Sequence, residues 1–526
     1  MNGEVWNDSL RGDYVWTSGN VAEAMPDVMT PCSWWAIQRT VSESVGPRFV
    51  TGHPYWGVIG GRFYLNLTVA LSIAHRFRST ALFKELTEQG VGEILADAEV
   101  PLIGLPFWRS LREVGLREAG VHLGSVTRRR TTRRTAQVLP GACAQLRDDI
   151  ARARSPEDLV ILWHSRVEPL FSGCCALMRY ARSEAMQQAI THQLLRSTIG
   201  TELTNAVTTG SAIDHLASLD LVVGLEQLAA GHIDRATFAN SFGHRGPHEY
   251  ELSLPRPGED PRWIDMQLAL LHDSGRSAER LLTTRAQQRD AAWREIGHRG
   301  RLVHARCRIL ARTWTHAARR RETLRSASIR GNWVLRTFVR RAGEITGAGE
   351  DLWFLSLDET LELLGGDRHP LDSVDERRDL VQRYALLPAY PTLIRGTFDP
   401  ERWAQDNPTP DPSQSPPASL REPLSGWPGA QGVVHGTARV ILDLDDADSF
   451  HPGEILVTPL TNVGWTPILL HATAIVTDIG APLSHAAIVA RELGIPAVVG
   501  CTGATTRIRT GDQLTVNGAK GTITWT

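Results

Sequence analysis

The chain has 526 residues, 42% hydrophobic and 22% charged, with a formal net charge of −2. That length exceeds one ordinary core, and the charge balance points away from nucleic acid and membrane surfaces as partners. No run reaches the roughly 18 apolar residues that a spanning helix needs, and residues 1–13 are polar, without the apolar core of a secretory signal. The six cysteines (Cys32, Cys143, Cys174, Cys175, Cys307 and Cys501) form no C-x-x-C pair. They signal neither a zinc site nor a disulfide framework, which fits a reduced, cytoplasmic setting with no metal site. Lysine stands only at Lys84 and Lys520, so arginine carries nearly all the positive charge.

Taken in chain order, residues 1–395 read as mainly helical. The segments 142–195 and 262–345 place Leu, Ala, Ile and Trp at three- and four-residue spacing among Arg and Glu. The basic run Arg128–Arg134 is a solvated face or, alternatively, a surface for an anionic ligand or partner. The string Gly243-His244-Arg245-Gly246-Pro247-His248-Glu249 predicts a tight turn carrying two His, one Arg and one Glu. Such a cluster can grip a phosphoryl group or a polar substrate atom, or simply be an ion-paired structural turn. Arg321 and Arg325 lie at i and i+4 on one helix face, where two guanidiniums can stabilise a transferring phosphoryl group or merely face solvent. Among the 16 tryptophans, Trp34, Trp35, Trp56, Trp108, Trp163 and Trp353 belong to the core or to an apolar pocket.

A segment rich in Pro, Ser and Asp follows, and it predicts a linker over 396–424 with an extended reach of roughly 80 Å. Beyond it, short Val/Ile/Leu runs at 432–442, 454–458, 473–478, 496–500 and 513–525, separated by Gly and Pro turns, predict a compact α/β domain over 425–526. Within it an apolar strand ends at Thr477-Asp478, a Gly/Pro turn follows, and a helix opens at Ser484-His485. Ser484 can cap that helix, Gly494 ends it, and Pro496 prevents it from resuming. His485 thus stands at a helix N-terminus, whose free N–H groups and dipole favour an anion and disfavour imidazolium. A neutral imidazole there is a competent phosphoryl acceptor.

The string Gly480–Gly500 resembles the phosphohistidine signature of the phosphoenolpyruvate-utilising enzymes, with Ala481 where that family has a second glycine. If that glycine has positive φ, alanine predicts a different turn. Thr461–Pro467 resembles the family's T-x-x-x-W-T-P segment, and Gly511-Asp512 with Asn517–Gly521 its ending. The resemblance implies a multidomain protein: a mainly α-helical substrate domain over 1–395 and a C-terminal swivelling β/β/α phosphohistidine domain over 425–526. Trp6–Ser9, Trp16–Pro26, Thr30-Pro31, Gly61–Asn66, the 242–251 string and Glu259–Pro261 resemble the substrate domain of the rifampin phosphotransferases and phosphoenolpyruvate-synthase-like proteins. This implies Asn20, Glu23, Arg62, Asn66, His244, Arg245, His248 and Glu249 as substrate-binding residues. It implies His485, Arg321, Arg325 and Ser484 as catalytic ones. Arg325 stands where that family has lysine; arginine can clamp but cannot accept a proton.

No Gly-rich phosphate loop with a following lysine is visible near the start, and no pyruvate-binding barrel follows the last domain. The resemblance therefore implies a carrier with a phosphohistidine intermediate. It would be charged in trans by an ATP-grasp (PEP/pyruvate-binding-like) subunit that uses ATP and Mg2+, and would deliver to a small molecule such as a natural product or antibiotic. A non-catalytic regulatory or binding subunit with a vestigial histidine is the alternative, and a piece of a longer protein is a further one.

Overall fold

A computed structural model describes residues 6–19, 21–80, 100–208, 217–273, 278–407, 422–482 and 484–526. The N-terminal part opens on strand β1 (Val15–Thr17) and the helical turn α1 (Val21–Ala24), followed by helix α2 (Pro31–Ser44). Thr30 caps α2 by accepting from Ser33 N, with Pro31 at the first helical position, where its missing N–H costs nothing. Strands β2 (Trp56–Ile59) and β3 (Arg62–Asn66) lead into helix α3 (Leu67–Arg76). Long helices then dominate: α4 (Arg129–Arg152), α5 (Glu168–Ile199), α6 (Ala217–Ala229), α7 (Pro261–Asp273) and α8 (Arg301–Thr346). At 46 residues, α8 runs about 70 Å, packing along α5 and α4. Strand β4 (Leu393–Arg395) returns to the start of the chain and closes an antiparallel sheet of order β2-β3-β1-β4.

Two cores result. Cys32 and Ala36 of α2, Leu146 and Ile150 of α4, Phe171 and Cys174 of α5, and Val334, Leu335 and Phe338 of α8 form the helical one. Trp16, Ile59, Tyr64 and Ile394 pack around the small sheet. Four of the singled-out tryptophans, Trp34, Trp56, Trp163 and Trp353, are core residues, whereas Trp108 is exposed. Trp35 packs 6.0 Å from Trp163.

Of the segment read as linker, 396–407 is folded. Helix α9 (Pro400–Asp406) is capped by Asp399, and Phe398 lies 5.5 Å from Tyr390 and 6.1 Å from Trp403. Residues 408–421 lie outside the described residues.

The C-terminal part holds an eight-stranded sheet: β5 (Leu424–Ser425), β6 (Trp427–Ala430), β7 (Val433–Val440), β8 (Ile455–Thr458), β9 (Ala474–Thr477), β10 (Ala497–Val499), β11 (Gln513–Asn517) and β12 (Thr522–Trp525). Their order is β5-β12-β11-β7-β8-β9-β10-β6. The central β7 to β10 run parallel, and antiparallel strands finish both edges. The four residues of each of β8 and β9 are buried, as expected for strands covered on both faces. Helix α10 (His485–Leu493) covers one face, burying Ala486, Val489, Ala490 and Leu493. The multidomain organisation, a mainly helical region followed by a sheet domain, is therefore present.

The sheet domain rests against the helical one through apolar side chains. Val463 packs with Leu221, Leu225, Phe238 and Ile264, while Val222 and Leu270 join the cluster of Trp465, Ile468 and Leu469. Asn462 Nδ2 donates to Pro247 O at 3.1 Å.

Candidate functional site at the domain interface

The histidine is built from the strand upward. Strand β9 ends at Thr477, and the chain turns through Gly480, whose φ of +154° suits glycine. A Cβ there would lie 2.9 Å from Val499 Cβ. Ala481, by contrast, is not among the positive-φ residues, so it needs no strained turn. Ser484 caps α10, its hydroxyl accepting from Ala487 N at 3.3 Å, and Gly494 closes the helix in the left-handed conformation. His485 is the first helical residue.

This histidine is half-buried where the domains meet and is held at two atoms. Its backbone N–H donates to Glu23 Oε2 at 2.9 Å, across the domain boundary from α1. Its Nδ1 lies 3.0 Å from Thr461 Oγ1. Nε2 is buried and makes no hydrogen bond, so it is the nitrogen left for chemistry. Burial, then the charges of Arg325 and Arg245, push the imidazole pKa down to about 3. The sequence argument credited neutrality to the helix dipole; the structure puts burial first and neighbouring guanidiniums second.

His485 lines a cavity of about 420 Å³ between the domains. One part of its wall is a charge cluster. Arg325 donates to Glu249 Oε2 at 3.0 Å, and Arg245 Nε donates to Glu249 Oε1. Arg321 donates to Glu322 Oε1 at 2.6 and 3.0 Å, and to Gln188 Oε1 at 3.0 Å. The guanidiniums of Arg321 and Arg325 hold the Glu322 carboxyl down at about 2 against its burial. Elsewhere the wall is mainly apolar, with Val21, Met25, Val41, Phe63, Met178 and Trp314, although Arg182, His192, Arg319, Arg491 and Glu492 also line it.

The structure thus brings His485, Arg321, Arg325, Glu23, Arg245 and Glu249 to one cavity, with Ser484 just behind it as the cap. It does not bring the others there. Arg62 donates to Pro26 O and stacks 5.1 Å over the Tyr390 ring. Asn66 caps α3 by accepting from Val69 N at 3.0 Å. His244 Nε2 lies 2.8 Å from Ser326 Oγ, and His248 Nδ1 2.8 Å from Asp27 Oδ1. These four hold the scaffold, for a polar motif serves backbone and turn as readily as ligand. Asn20 lies outside the described residues.

Several wall residues were not anticipated. On the wall these are Gln188 and His192, a turn apart on α5, with Tyr250 and Glu322, and beside the wall Thr461, which meets His485 Nδ1. Thr461 and Tyr250 carried a signal, within the Thr461–Pro467 and 242–251 strings. Among the described residues, no group of three or more His, Cys, Asp and Glu could hold a metal ion, and no helix is long and apolar enough to cross a membrane.

Comparison with known proteins agrees with this geometry. Residues 450–521 match the model of the PEP-utilising enzyme, mobile domain, a stretch that contains both Thr461 and His485. The chain carries the mobile domain of the PEP-utilising enzymes. It is similar to the prodigiosin synthesizing transferase PigC of Serratia marcescens, 32% identical over 57% of this chain and 34% of that protein. It is also similar to the rifampicin phosphotransferase of Bacillus cereus, 33% identical over 33% of this chain and 19% of that one. The phosphoenolpyruvate synthase of Aquifex aeolicus is 56% identical over 17% of this chain and 10% of its own length. The chain spans about a third of the length of the curated relatives it matches over the longest stretches. His485 and its cap Ser484 lie within the matched mobile domain, and Glu23 and the arginine cluster lie outside it.

Proposed function

We propose that this chain is the acceptor-and-carrier half of an ATP-dependent phosphotransferase. His485 receives a phosphoryl group from an ATP-grasp subunit acting in trans, with ATP and Mg2+, and passes it to a small molecule held in the interdomain cavity. One observation carries this reading: a neutral histidine with a buried, unengaged Nε2 docks onto a cavity wall that bears six arginines, Arg245, Arg321 and Arg325 among them. Such a wall stabilises charge on a transferring phosphoryl group without proton chemistry. With Nδ1 tied to Thr461, the phosphoryl group attaches at Nε2. The largely apolar remainder of the wall suits a hydrophobic skeleton, in keeping with the names of two relatives, a prodigiosin synthesizing transferase and a rifampicin phosphotransferase. The phosphoryl group either stays on the acceptor or leaves in a later dehydration or condensation.

The test is the purified chain with a candidate ATP-grasp partner and ATP labelled at the β or γ phosphate. The expected product is an acid-labile, base-stable label on His485 that His485→Ala abolishes. Label of undiminished stoichiometry in His485→Ala would sink the carrier role and leave the non-catalytic reading standing.

A further inference from the structure

Phosphoryl transfer to a hydroxyl must dispose of a proton, and the wall around His485 offers few places for it. Arginine does not accept one. Four carboxyl groups line the cavity: Glu23, Glu249, Glu322 and Glu492. Glu249 is bound by Arg245 and Arg325, and Glu322 by Arg321, so the oxygens of both are already engaged by guanidiniums. Glu492 sits two turns along α10 from His485. His192, the other neutral acceptor on the wall, lies under the charge of Arg491, also far along that helix.

Glu23 differs from all of these. No guanidinium bonds it; Oε2 accepts the backbone N–H of His485 itself, and Oε1 is buried without a hydrogen bond. It therefore stands beside the phosphoryl-bearing residue, fixed by it, with one oxygen uncommitted. The charged and titratable groups lining the cavity with it are Arg182, His192, Arg245, Glu249, Arg319, Arg321, Glu322, Arg325, His485, Arg491 and Glu492, and of these Arg325 acts on its charge most.

We propose that Glu23 is the proton acceptor of the transfer step. The proposal rests on the carrier reading above. The acceptor oxygen attacks phosphorus; the O–P bond forms as the P–Nε2 bond breaks, and that electron pair returns to Nε2. The hydroxyl proton passes to Glu23 Oε1, while Nδ1 keeps its proton on Thr461 Oγ1. It follows that the acceptor atom is a hydroxyl and not a carboxylate, which has no proton to give and meets Glu23 as a like charge. Burial pushes the Glu23 carboxyl up to about 8, against the opposing pull of the His485 N–H, Ser484 and Arg325. A base of that strength is matched to a proton transfer near neutral pH.

The experiment needs neither the natural donor nor the natural acceptor. The chain is phosphorylated chemically with phosphoramidate, and loss of the group from His485 to water, the simplest hydroxyl, is followed by peptide mass spectrometry across pH. Glu23→Gln keeps a carbonyl oxygen for the His485 N–H, so docking survives while the base is gone; Glu23→Asp restores the base at shorter reach. The expected result is discharge about 10²-fold slower in Glu23→Gln at pH 8, with partial recovery in Glu23→Asp. The wild-type rate should rise through one ionisation that Glu23→Gln lacks. Equal rates and equal pH profiles in wild type and Glu23→Gln overturn the proposal and leave the carrier reading intact. Failure of His485 to take the label, or label unaffected by His485→Ala, overturns both.

Discussion

The pH dependence of docking follows from the two groups that meet at the interface, and their signs oppose. His485 has a pKa near 3 when docked against an ordinary value of 6.5. The docked form binds fewer protons there, so docking weakens as pH falls below 6.5. Glu23 has a pKa near 8 when docked against an ordinary 4.5. The docked form binds more protons there, so docking weakens as pH rises toward 8. Combining the two by proton linkage gives a broad optimum around pH 5–6 and a loss of about tenfold, roughly 1.4 kcal/mol, between pH 6 and pH 8. Glu23→Gln removes the alkaline limb and leaves the histidine's. That variant should dock more tightly as pH rises, by about 30-fold or roughly 2 kcal/mol between pH 5 and pH 8. Energy transfer between dyes at Leu386→Cys and Leu442→Cys, both exposed positions on opposite domains, reads the docked fraction; the native cysteines are buried. A docked fraction that is flat from pH 6 to 8, or a Glu23→Gln slope of the same sign as wild type, would refute the reasoning.

Three further outcomes are expected. Thr461→Val removes the hydroxyl 3.0 Å from Nδ1; stability should change by no more than about 1 kcal/mol, while the 15N shifts of His485 lose their single-tautomer pattern and phosphohistidine formation slows. Gly480→Ala puts a Cβ 2.9 Å from Val499 Cβ on a backbone with φ +154°, and thermal unfolding should show a loss of about 1–3 kcal/mol. Arg325→Met takes one of two guanidiniums from buried Glu249. Because Arg245 remains, denaturant unfolding should show less than the roughly 3–5 kcal/mol of a fully orphaned buried charge, and transfer from phospho-His485 should fall more steeply than stability.

What could be read from sequence was local. Ser484, Gly494 and Pro496 mark the ends of one short helix within a dozen residues, so the placement of His485 was legible. Glu23 meets His485 across 462 residues, and Thr461 reaches it from the far side of a strand; no pattern of spacing encodes either contact. Arg62, Asn66, His244 and His248 stand away from the cavity, and their chemistry gave no warning of it. Each is a polar residue with at least one atom engaged by a cap, turn or neighbour, and chemistry that could hold a ligand looks the same on paper as chemistry that holds the fold. The linker began late because composition outvoted contacts: among the prolines, Phe398 and Trp403 have Tyr390 to pack against, and Phe398 N donates to Ser9 Oγ at 3.0 Å.

The charge cluster around His485 also constrains which form of the carrier it fits. Arg245, Arg321 and Arg325 face Glu249 and Glu322, three guanidiniums against two carboxylates, and both His485 and Glu23 are pushed toward their neutral forms. Taken by itself, that cluster carries an excess of one positive charge, a state that costs free energy unless something anionic joins it. A phosphoryl dianion on Nε2 with Nδ1 still protonated brings a net charge of −1 and cancels that excess; a fully deprotonated phosphohistidine overshoots it. The Thr461 hydroxyl, 3.0 Å from Nδ1, selects the form that balances when it accepts the Nδ1 proton. That form is also the better leaving group, since its imidazole departs neutral. The wall that pushes the empty histidine to neutrality therefore favours the loaded one in the protonation state from which transfer is easiest. Ionised Glu23 then appears as the one negative charge added when a hydroxyl is to be deprotonated, and it disappears again as the proton arrives.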